Sequence, residues 1–357
     1  MIGHTAPVGD RCKMSQKNET TTLLLAFLTT AALVGGGAWW FTRHSGLPLP
    51  QLGLSSGNNS ANQPGPGKGA FTEVSDLPSG LFNYGGSTVW APIRLRVDSA
   101  IQGARPEFRL RYLDPGSKPP SSGEGIRMLL NGELAFAQSS RPIRDQEYNQ
   151  AQQRGFRLQQ IPIAIDGIAI AVHPSLNIPG LTLAQLKAIY TGKIRNWQQV
   201  GGPNLPIIPY SHPSTAGSPF EEKVLGEEPY GANVRPIPTT TQAIRLLASS
   251  PGGIFYASAP ELVPQCTVKS IPIGRTAAQL VPPYQEPFVP LSQCPNQRNQ
   301  LNFQAFHQGT YPLTRSLFVI VKQDGRVEER AGEAYANLLL TNQGQELIQQ
   351  AGFVRIR

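Results

Sequence analysis

The sequence is poor in the residues on which many metal sites depend, and it lacks the basic runs that are typical of nucleic-acid sites. Only 3 of its 357 residues are cysteine and 5 are histidine. No histidine or acidic cluster accompanies Cys266 and Cys294, so a metal site is not expected. The net charge is +8, but no run of lysine and arginine is interleaved with aromatic residues, so nucleic acid is not expected as a partner. The scattered basic charge can still bias anions toward a cleft.

The few cysteines divide by position. Cys12 precedes the one long apolar stretch, which leaves Cys266 and Cys294 alone in the part of the chain beyond it. In an oxidising compartment two such residues predict one disulfide, and two unpaired core cysteines are the alternative.

An apolar stretch without charge, at residues 23–41, is long enough to cross the hydrocarbon core of a membrane. Arg11, Lys13 and Lys17 precede it, which predicts a cytoplasmic tail at residues 1–22, a single-pass anchor and an exported remainder. A cleaved signal peptide is the alternative, because small residues at 35–38 could form a processing site. Residues 42–70, rich in glycine, proline and serine, are predicted to be a flexible linker, so the folded part begins near Phe71.

Residues 166–202 combine a strand, a helix and a turn. The continuous apolar run at residues 168–172 predicts a strand covered on both faces. Thr182 is the predicted N-cap of a helix from Leu183 to Tyr190, and Gly192 is the predicted stop.

The rest of the folded part alternates strands with helices. Strands are predicted at residues 81–84, 108–112, 134–137, 206–210, 252–256 and 317–321. Helices are predicted from residues 89, 121 and 220 onward, at 241–248 and at 330–351. This pattern predicts an α/β protein with a mixed, mainly parallel sheet, and the chain length favours two closely linked lobes.

Hydroxyl-rich turns follow several of these strands, and one such turn opens a helix. Helix N-termini offer free N–H groups and a positive dipole end, and hydroxyls add adjustable donors. Each turn alone is typical of a helix cap, but four of them, mostly at strand carboxyl ends, predict an oxyanion site. The candidate ligand residues are Ser87, Thr88, Ser121, Ser122, Gly123, Ser139, Ser140, Arg141, His212, Ser214, Thr215, Gly217 and Ser218.

Arg141 is the first candidate for a charge partner, because it directly follows the Ser139-Ser140 turn. A guanidinium can bind a tetrahedral anion through two parallel hydrogen bonds. A salt bridge at the surface or between the lobes is the alternative role. Arg315 is the second candidate.

Several motifs carry a family resemblance: GGST at residues 85–88, SSGEGI at 121–126, SSRPI at 139–143 and YPLTRSLFVIVK at 311–322. Together with residues 166–202, they resemble the phosphate-binding proteins of ABC-type phosphate uptake systems. The resemblance covers nearly all of the chain from about Phe71 onward. It implies a periplasmic-binding-protein fold of the second type, with lobe 1 at residues 71–165 plus 316–357 and lobe 2 at 166–315, closing over phosphate in a cleft. It also implies no cofactor, ABC permease subunits as partners, and ligand roles for Ser87, Thr88, Ser122, Ser140 and residues 214–218.

The chain departs from this family at two turns. Arg141 follows Ser140 where the family usually has an acidic residue, and residues 210–215 replace the usual arginine, acidic residue and Gly-Ser-Gly-Thr turn. A carboxylate acceptor can bind the proton of hydrogen phosphate. It rejects fully ionised sulfate, because a buried carboxylate oxygen that faces a sulfate oxygen with no proton between them is unfavourable in free energy. Glu124, Asp114 and His212 are the candidates to replace that acceptor.

The leading hypothesis is a membrane-tethered, extracytoplasmic binding protein for an oxyanion, phosphate first, that serves an ABC transporter and is not an enzyme. The alternative is a sensor or interaction module on the same fold with weakened anion binding, motivated by the altered turn. A hydrolase using Ser211 or Ser214 with His212 is disfavoured, because sequence neighbours rarely adopt nucleophile–base geometry and no GxSxG motif is present.

Overall fold

A computed structural model of the chain describes residues 69–116, 118–213 and 218–357. The predicted tail, the apolar stretch and nearly all of the predicted linker lie outside the described residues, as do Ser214, Thr215 and Gly217. In the described ranges, no helix is both long and apolar enough to span a membrane. All of these residues belong to one unit, Pro64–Arg357.

The first part of this unit alternates strands with helices, as the hydrophobic pattern predicts. Its elements are β1 (Gly80–Gly86), α1 (Ala91–Ala104), β2 (Phe108–Tyr112), α2 (Ser122–Leu130), β3 (Phe136–Ser139), α3 (Asp145–Gln153) and β4 (Arg157–Val172). A 3-10 turn at Thr88–Trp90 leads into α1. β4 begins well before the predicted strand at Ile168, and only its end has the continuous burial that the apolar run indicated.

The second part begins with the segment on which the fold prediction depended. Thr182 caps the helix Leu183–Tyr190, as predicted: its Oγ1 accepts from the Gln185 N–H at 3.1 Å, and Gln185 Oε1 accepts from the Thr182 N–H at 2.9 Å. This reciprocal pair satisfies two N–H groups at the helix start. The elements here are β5 (Leu181–Thr182), α4 (Leu183–Tyr190), β6 (Ile208–Ser211), β7 (Arg235–Pro236), α5 (Thr240–Ala248), β8 (Gly253–Ser258), α6 (Ala259–Leu262), β9 (Lys269–Ile271), β10 (Ile273–Gly274), β11 (Leu280–Val281) and α7 (Phe303–His307).

The C-terminal part corrects one prediction. The helix predicted at residues 330–351 is two helices, because Thr341 breaks it: the Thr341 hydroxyl accepts from the Gly344 N–H at 3.0 Å and starts the second helix. Apolar periodicity continues through the break, so the pattern alone did not show it. The elements are β12 (Thr314–Gln323), α8 (Val327–Leu339), α9 (Asn342–Gln350) and β13 (Val354–Arg355).

The main sheet has the order β2-β1-β3-β12-β4-β8-β6-β7, with β9 and β13 also paired to β4. β2, β1 and β3 are parallel, and so are β7, β6 and β8. The centre is antiparallel, because β12 runs against β3 and β4, and β4 runs against β8. The sheet is therefore mixed, as predicted, but its parallel share is smaller than the alternating pattern indicated.

β4 runs from one half of the unit into the other. The first part of β4 pairs with β12, and its last five residues pair with β8. Buried apolar residues form one cluster within residues 168–313, joined by Val354, and two clusters from residues 71–164 and 317–353. β4 thus contributes to separate cores, whereas the buried apolar residues of β12 belong only to the clusters from residues 71–164 and 317–353.

Candidate oxyanion site

The parallel strands β2, β1 and β3 have their carboxyl ends at the same edge of the sheet. β1 ends at Gly86 and β3 at Ser139, and the two strands are neighbours, with Gly86 opposite Gln138. Ligands of open α/β sheets bind beyond such strand ends. The hydroxyl turns that follow β1 and β3 therefore lie side by side.

Three serines form a cluster, which we call the serine cluster: Ser87 follows β1, Ser140 follows β3, and Ser122 is the first residue of α2. Ser87 Oγ lies 3.0 Å from Ser140 Oγ, and Ser122 Oγ lies 3.3 Å from the same atom. Ser122 Oγ also accepts from the Ser140 N–H at 3.0 Å. All three residues are buried. Hydroxyls can rotate, so donors that now satisfy one another can be turned toward an anion.

Glycine at position 86 allows this close approach. Gly86 has a φ of 132°, and a Cβ there would lie 2.1 Å from the Gln138 carbonyl oxygen. A Cβ on Gly125 of α2 would lie 2.6 Å from the Gly86 Cα. Only glycine fits at both positions, so the backbones of β1, β3 and α2 can converge on the serine cluster.

Two helix starts contribute to the same edge. Ser87 caps the turn that leads into α1, and Ser121 caps α2 by accepting from the Glu124 N–H at 3.2 Å. The first N–H groups of a helix have no acceptor within it, and at α2 these belong to Ser122 and Gly123. They add donors and a positive dipole end beside the serine cluster.

Arg141, the first candidate for a charge partner, forms a salt bridge with an acidic side chain. Its guanidinium makes two hydrogen bonds to Glu147, Nη1 to Oε2 at 2.9 Å and Nη2 to Oε1 at 2.6 Å. It lies beside α2, with Nη2 3.5 Å from where a Cβ on Gly123 would be. Ser139 Oγ donates to the Arg141 carbonyl at 2.6 Å. The pair with Glu147 neutralises the charge of Arg141 and braces this turn.

Sequence reasoning missed Arg94 on α1. Its Nη1 donates to the Ser87 carbonyl oxygen at 3.3 Å and to Gln138 Oε1 at 3.0 Å. The guanidinium carbon lies 4.1 Å from the centre of the Tyr112 ring. The only sequence signal was a polar position in the first turns of a predicted helix.

A buried ion pair marks the strand crossing. Arg315 on β12 lies opposite Asp166 on β4, and its Nε and Nη2 both lie 2.8 Å from Asp166 Oδ2. Ser258 donates to Asp166 Oδ1 at 2.7 Å. β12 pairs Phe318 with Ser139, so Arg315, three residues earlier, lies toward the carboxyl end of β3.

His212 lies in a second polar group near Arg315. Its Nε2 is 3.4 Å from Thr240 Oγ1, which is 3.5 Å from Glu261 Oε2. Burial lowers the pKa of His212, and the charge of Arg315 lowers it further. Burial raises the pKa of Glu261, and the Asp166 carboxylate raises it further. This group therefore contains a neutral imidazole and a carboxyl group that ionises less readily than usual.

The hydrolase alternative receives no support from Ser211. Its Oγ donates to the His212 backbone carbonyl at 2.8 Å and lies 2.9 Å from Tyr256 Oη, so it is not placed on the imidazole. Ser218 Oγ accepts from the Glu221 N–H at 3.2 Å at the start of a π-helical turn, Glu221–Leu225. Ser218 therefore has a capping role, as its position before Pro219 predicted.

Glu124 and Asp114, the other predicted acceptors, are directed elsewhere. Glu124 pairs with Lys118 at 3.0 Å and Arg127 at 2.7 Å. Asp114 Oδ1 accepts from the Gly116 N–H at 3.4 Å in its own exposed turn.

Cys266 and Cys294 form a disulfide that closes a 28-residue separation. Among the described residues, no three histidine, cysteine or acidic side chains are grouped as metal ligands. The disulfide lies in the segment that follows β8 and α6, apart in sequence from the hydroxyl turns.

The fold is that of a type 2 periplasmic binding protein: a mixed α/β sheet whose parallel strands bring hydroxyl turns to one edge, with the long strand β4 joining its halves. The chain belongs to the PBP superfamily, since the family model described as PBP superfamily domain matches residues 58–343. The predicted family resemblance and fold class are confirmed.

Relatives in sequence include Phosphate-binding protein PstS of Staphylococcus epidermidis, which is 25% identical over 314 residues, 85% of this chain and 84% of that protein. Protein SphX of Synechococcus elongatus is 26% identical over 243 residues, 65% of this chain and 66% of that protein.

Solved structures share the fold. An X-ray structure of a phosphate ABC transporter substrate-binding protein with bound phosphate from Clostridium perfringens has a TM-score of 0.61 at 22% identity, covering 78% of this chain and all of that one (100%). An ABC-type phosphate transport receptor from Vibrio cholerae has a TM-score of 0.59 at 21% identity, covering 76% of this chain and 99% of that one.

Proposed function

We propose that this protein is an extracytoplasmic binding protein for inorganic phosphate, tethered by residues 23–41, that delivers its ligand to an ABC transporter. The observation that carries the proposal is the serine cluster: three hydroxyls from three separate turns meet beside two helix starts. The names of the relatives, phosphate-binding protein and phosphate transport receptor, support phosphate as the oxyanion.

The proposed ligand set is Ser87, Thr88 and Ser140 with the start of α2 from one lobe, and the turn at residues 212–218 from the other. The separate apolar cores support two lobes. β4 would act as part of the hinge, because it contributes buried residues to cores in both halves, together with the chain between Leu313 and Leu317, which passes from one core to the other. Hinge closure around a ligand is a common motion of such paired domains.

Isothermal titration of the full chain tests ligand binding. We expect phosphate to bind with a dissociation constant at or below about 1 µM, equivalent to roughly −8 kcal/mol. Sulfate and organic phosphates serve as competitors. No heat and no thermal shift with any of these anions would refute the proposal. Binding weaker than about 100 µM would favour the sensor alternative.

The tether is tested by cell fractionation and N-terminal sequencing. We expect the protein in the membrane fraction with its N-terminus intact, and release of a protein that lacks residues 1–41. A mature N-terminus near residue 40 would instead identify a cleaved signal peptide.

Delivery is tested by phosphate uptake in cells that carry or lack the chain. We expect uptake at low phosphate to require the protein. A Ser140→Ala variant that remains folded and tethered should support less uptake than the wild type. Equal uptake with and without the chain would contradict a transport role.

A further inference from the structure

Three arginines surround the candidate site, and two of them are neutralised by carboxylates. Arg141 pairs with Glu147 and Arg315 with Asp166. Arg94 forms no ion pair with any carboxylate of the described residues. The acid nearest along α1 is Asp98, which instead accepts hydrogen bonds from Tyr84 and Tyr335. Arg94 therefore lacks a carboxylate within ion-pair distance, although its charge acts on Asp98 at longer range.

The contacts of Arg94 fix the turn that carries Ser87. The Ser87 carbonyl accepts from Arg94 Nη1 at 3.3 Å and from the Trp90 N–H at 3.2 Å, and Tyr112 Oη donates to the Gly86 carbonyl at 3.3 Å. The Ser87 N–H donates to the Gln138 carbonyl at 2.9 Å. Two successive carbonyl oxygens are thus held on the side of Arg94 and Tyr112.

This orientation determines where the next amide points. In a trans peptide the C=O of one residue and the N–H of the next point in opposite directions. With the Ser87 carbonyl held by both Arg94 and the Trp90 N–H, the Thr88 N–H is directed away from Arg94. A carbonyl turned the other way would present a negative dipole end to an anion.

A chain of hydrogen bonds holds Arg94 itself. Its other acceptor, Gln138 Oε1, belongs to a side chain whose Nε2 donates to Tyr335 Oη at 2.9 Å, and Tyr335 donates to Asp98 at 3.1 Å. The stacked contact with Tyr112 covers one face of the guanidinium. Lysine could replace the charge but not this planar set of contacts.

We propose that Arg94 is a positioning residue of the oxyanion site: together with the Trp90 N–H it holds the Ser87 carbonyl away from the ligand, so that the Thr88 N–H points outward as a donor, and it supplies a positive charge behind the serine cluster. The inference rests on the proposed phosphate binding.

The test compares Arg94→Gln with Arg96→Gln by phosphate titration at roughly 20 and 200 mM salt. Arg96 is an exposed residue of the same helix, so its variant loses the same formal charge. We expect about a tenfold to hundredfold weaker binding for Arg94→Gln, with a shallower salt dependence, and less than about twofold for Arg96→Gln. Arg94→Lys should bind several-fold more weakly than the wild type while keeping its salt dependence.

Amide NMR supplies a readout that a purely structural role would not change. Phosphate should shift the Thr88 amide resonance in the wild type and in Arg96→Gln, but not in Arg94→Gln. If Arg94→Gln binds phosphate as Arg96→Gln does, the inference is wrong. If Arg94→Gln does not fold, wild-type affinity in Arg94→Lys would overturn it. A wild-type chain that binds no phosphate would instead refute the proposed function.

Discussion

The side chains of Arg141 and Glu147 form a two-bond ion pair, at 2.6 and 2.9 Å, and both are largely buried. Glu147 Oε2 also accepts from the Arg144 N–H at 2.9 Å at the start of α3. One carboxylate therefore joins the turn after β3 to the next helix.

This ion pair predicts a large loss in the free energy of unfolding when only one of its partners is removed. Glu147→Ala leaves a buried guanidinium without a counter-charge, and such changes cost about 3–5 kcal/mol. The double variant Arg141→Ala/Glu147→Ala should recover part of this loss. Urea unfolding measures both, with Glu133→Ala, an exposed carboxylate, as the control. Equal costs for Glu147→Ala and Glu133→Ala would contradict a bracing role.

Ser140 is the centre of the serine cluster, in contact with both Ser87 and Ser122. Ser140→Ala should weaken phosphate binding by about tenfold or more, since a hydrogen bond to a charged group contributes about 1.5–3 kcal/mol. Calorimetry measures the affinity and thermal unfolding checks the fold. Ser99→Ala, an exposed serine of α1, is the matched control. Unchanged affinity in Ser140→Ala would move the ligand away from this edge of the sheet.

The sequence predicted the strand ends and helix starts of this site because they depend on local chemistry. Thr182 and Ser121 act as the caps that their positions indicated. The ion pairs were not predictable from local pattern: Glu147 is held against Arg141 by the path of the turn, and Arg315 meets Asp166 across 149 residues. Arg94 was missed because its function depends on where β1 and β3 bring Ser87 and Gln138.

The ion pair at the strand crossing predicts a pH response. Arg315→Met leaves Asp166 fully buried without its cation, which should cost about 3–5 kcal/mol near neutral pH. Burial already raises the pKa of the folded Asp166 above its ordinary value, and loss of the Arg315 cation raises it further, so the folded variant binds more protons and regains stability as pH falls. Denaturant unfolding between about pH 5 and 7 measures this trend. The double variant Asp166→Asn/Arg315→Met should not gain stability as pH falls. If the stability lost in Arg315→Met is the same at every pH, Asp166 is not a buried charge in that variant.

His212 predicts the opposite pH dependence: the stability of the protein should fall at mildly acidic pH. Burial lowers the pKa of the folded imidazole below its ordinary value of 6.5, so the unfolded chain takes up the proton first. The stability that neutral His212 contributes is therefore complete above about pH 6.5, the ordinary pKa of the imidazole in the unfolded chain. It is lost as pH falls from there through the lower pKa of the folded state. His212→Gln should flatten the stability profile below about pH 6.5, whereas exposed His307→Gln should not. Parallel profiles for the wild type and His212→Gln would contradict a buried neutral imidazole.

The disulfide between Cys266 and Cys294 predicts a stability that depends on redox conditions. Cys266 and Cys294 are 28 residues apart, and closing a loop of that length contributes about 3–4 kcal/mol in the chain-entropy model. Cys266→Ser/Cys294→Ser should lose about that much, and reductant should lower the unfolding temperature of the wild type but not of the double variant. Cys12→Ser is the control, since Cys12 precedes the residues that the structure describes. The phosphate affinity of the double variant should change little, because the disulfide is remote in sequence from the hydroxyl turns. A large loss of affinity would instead place the segment between Cys266 and Cys294 in the binding site.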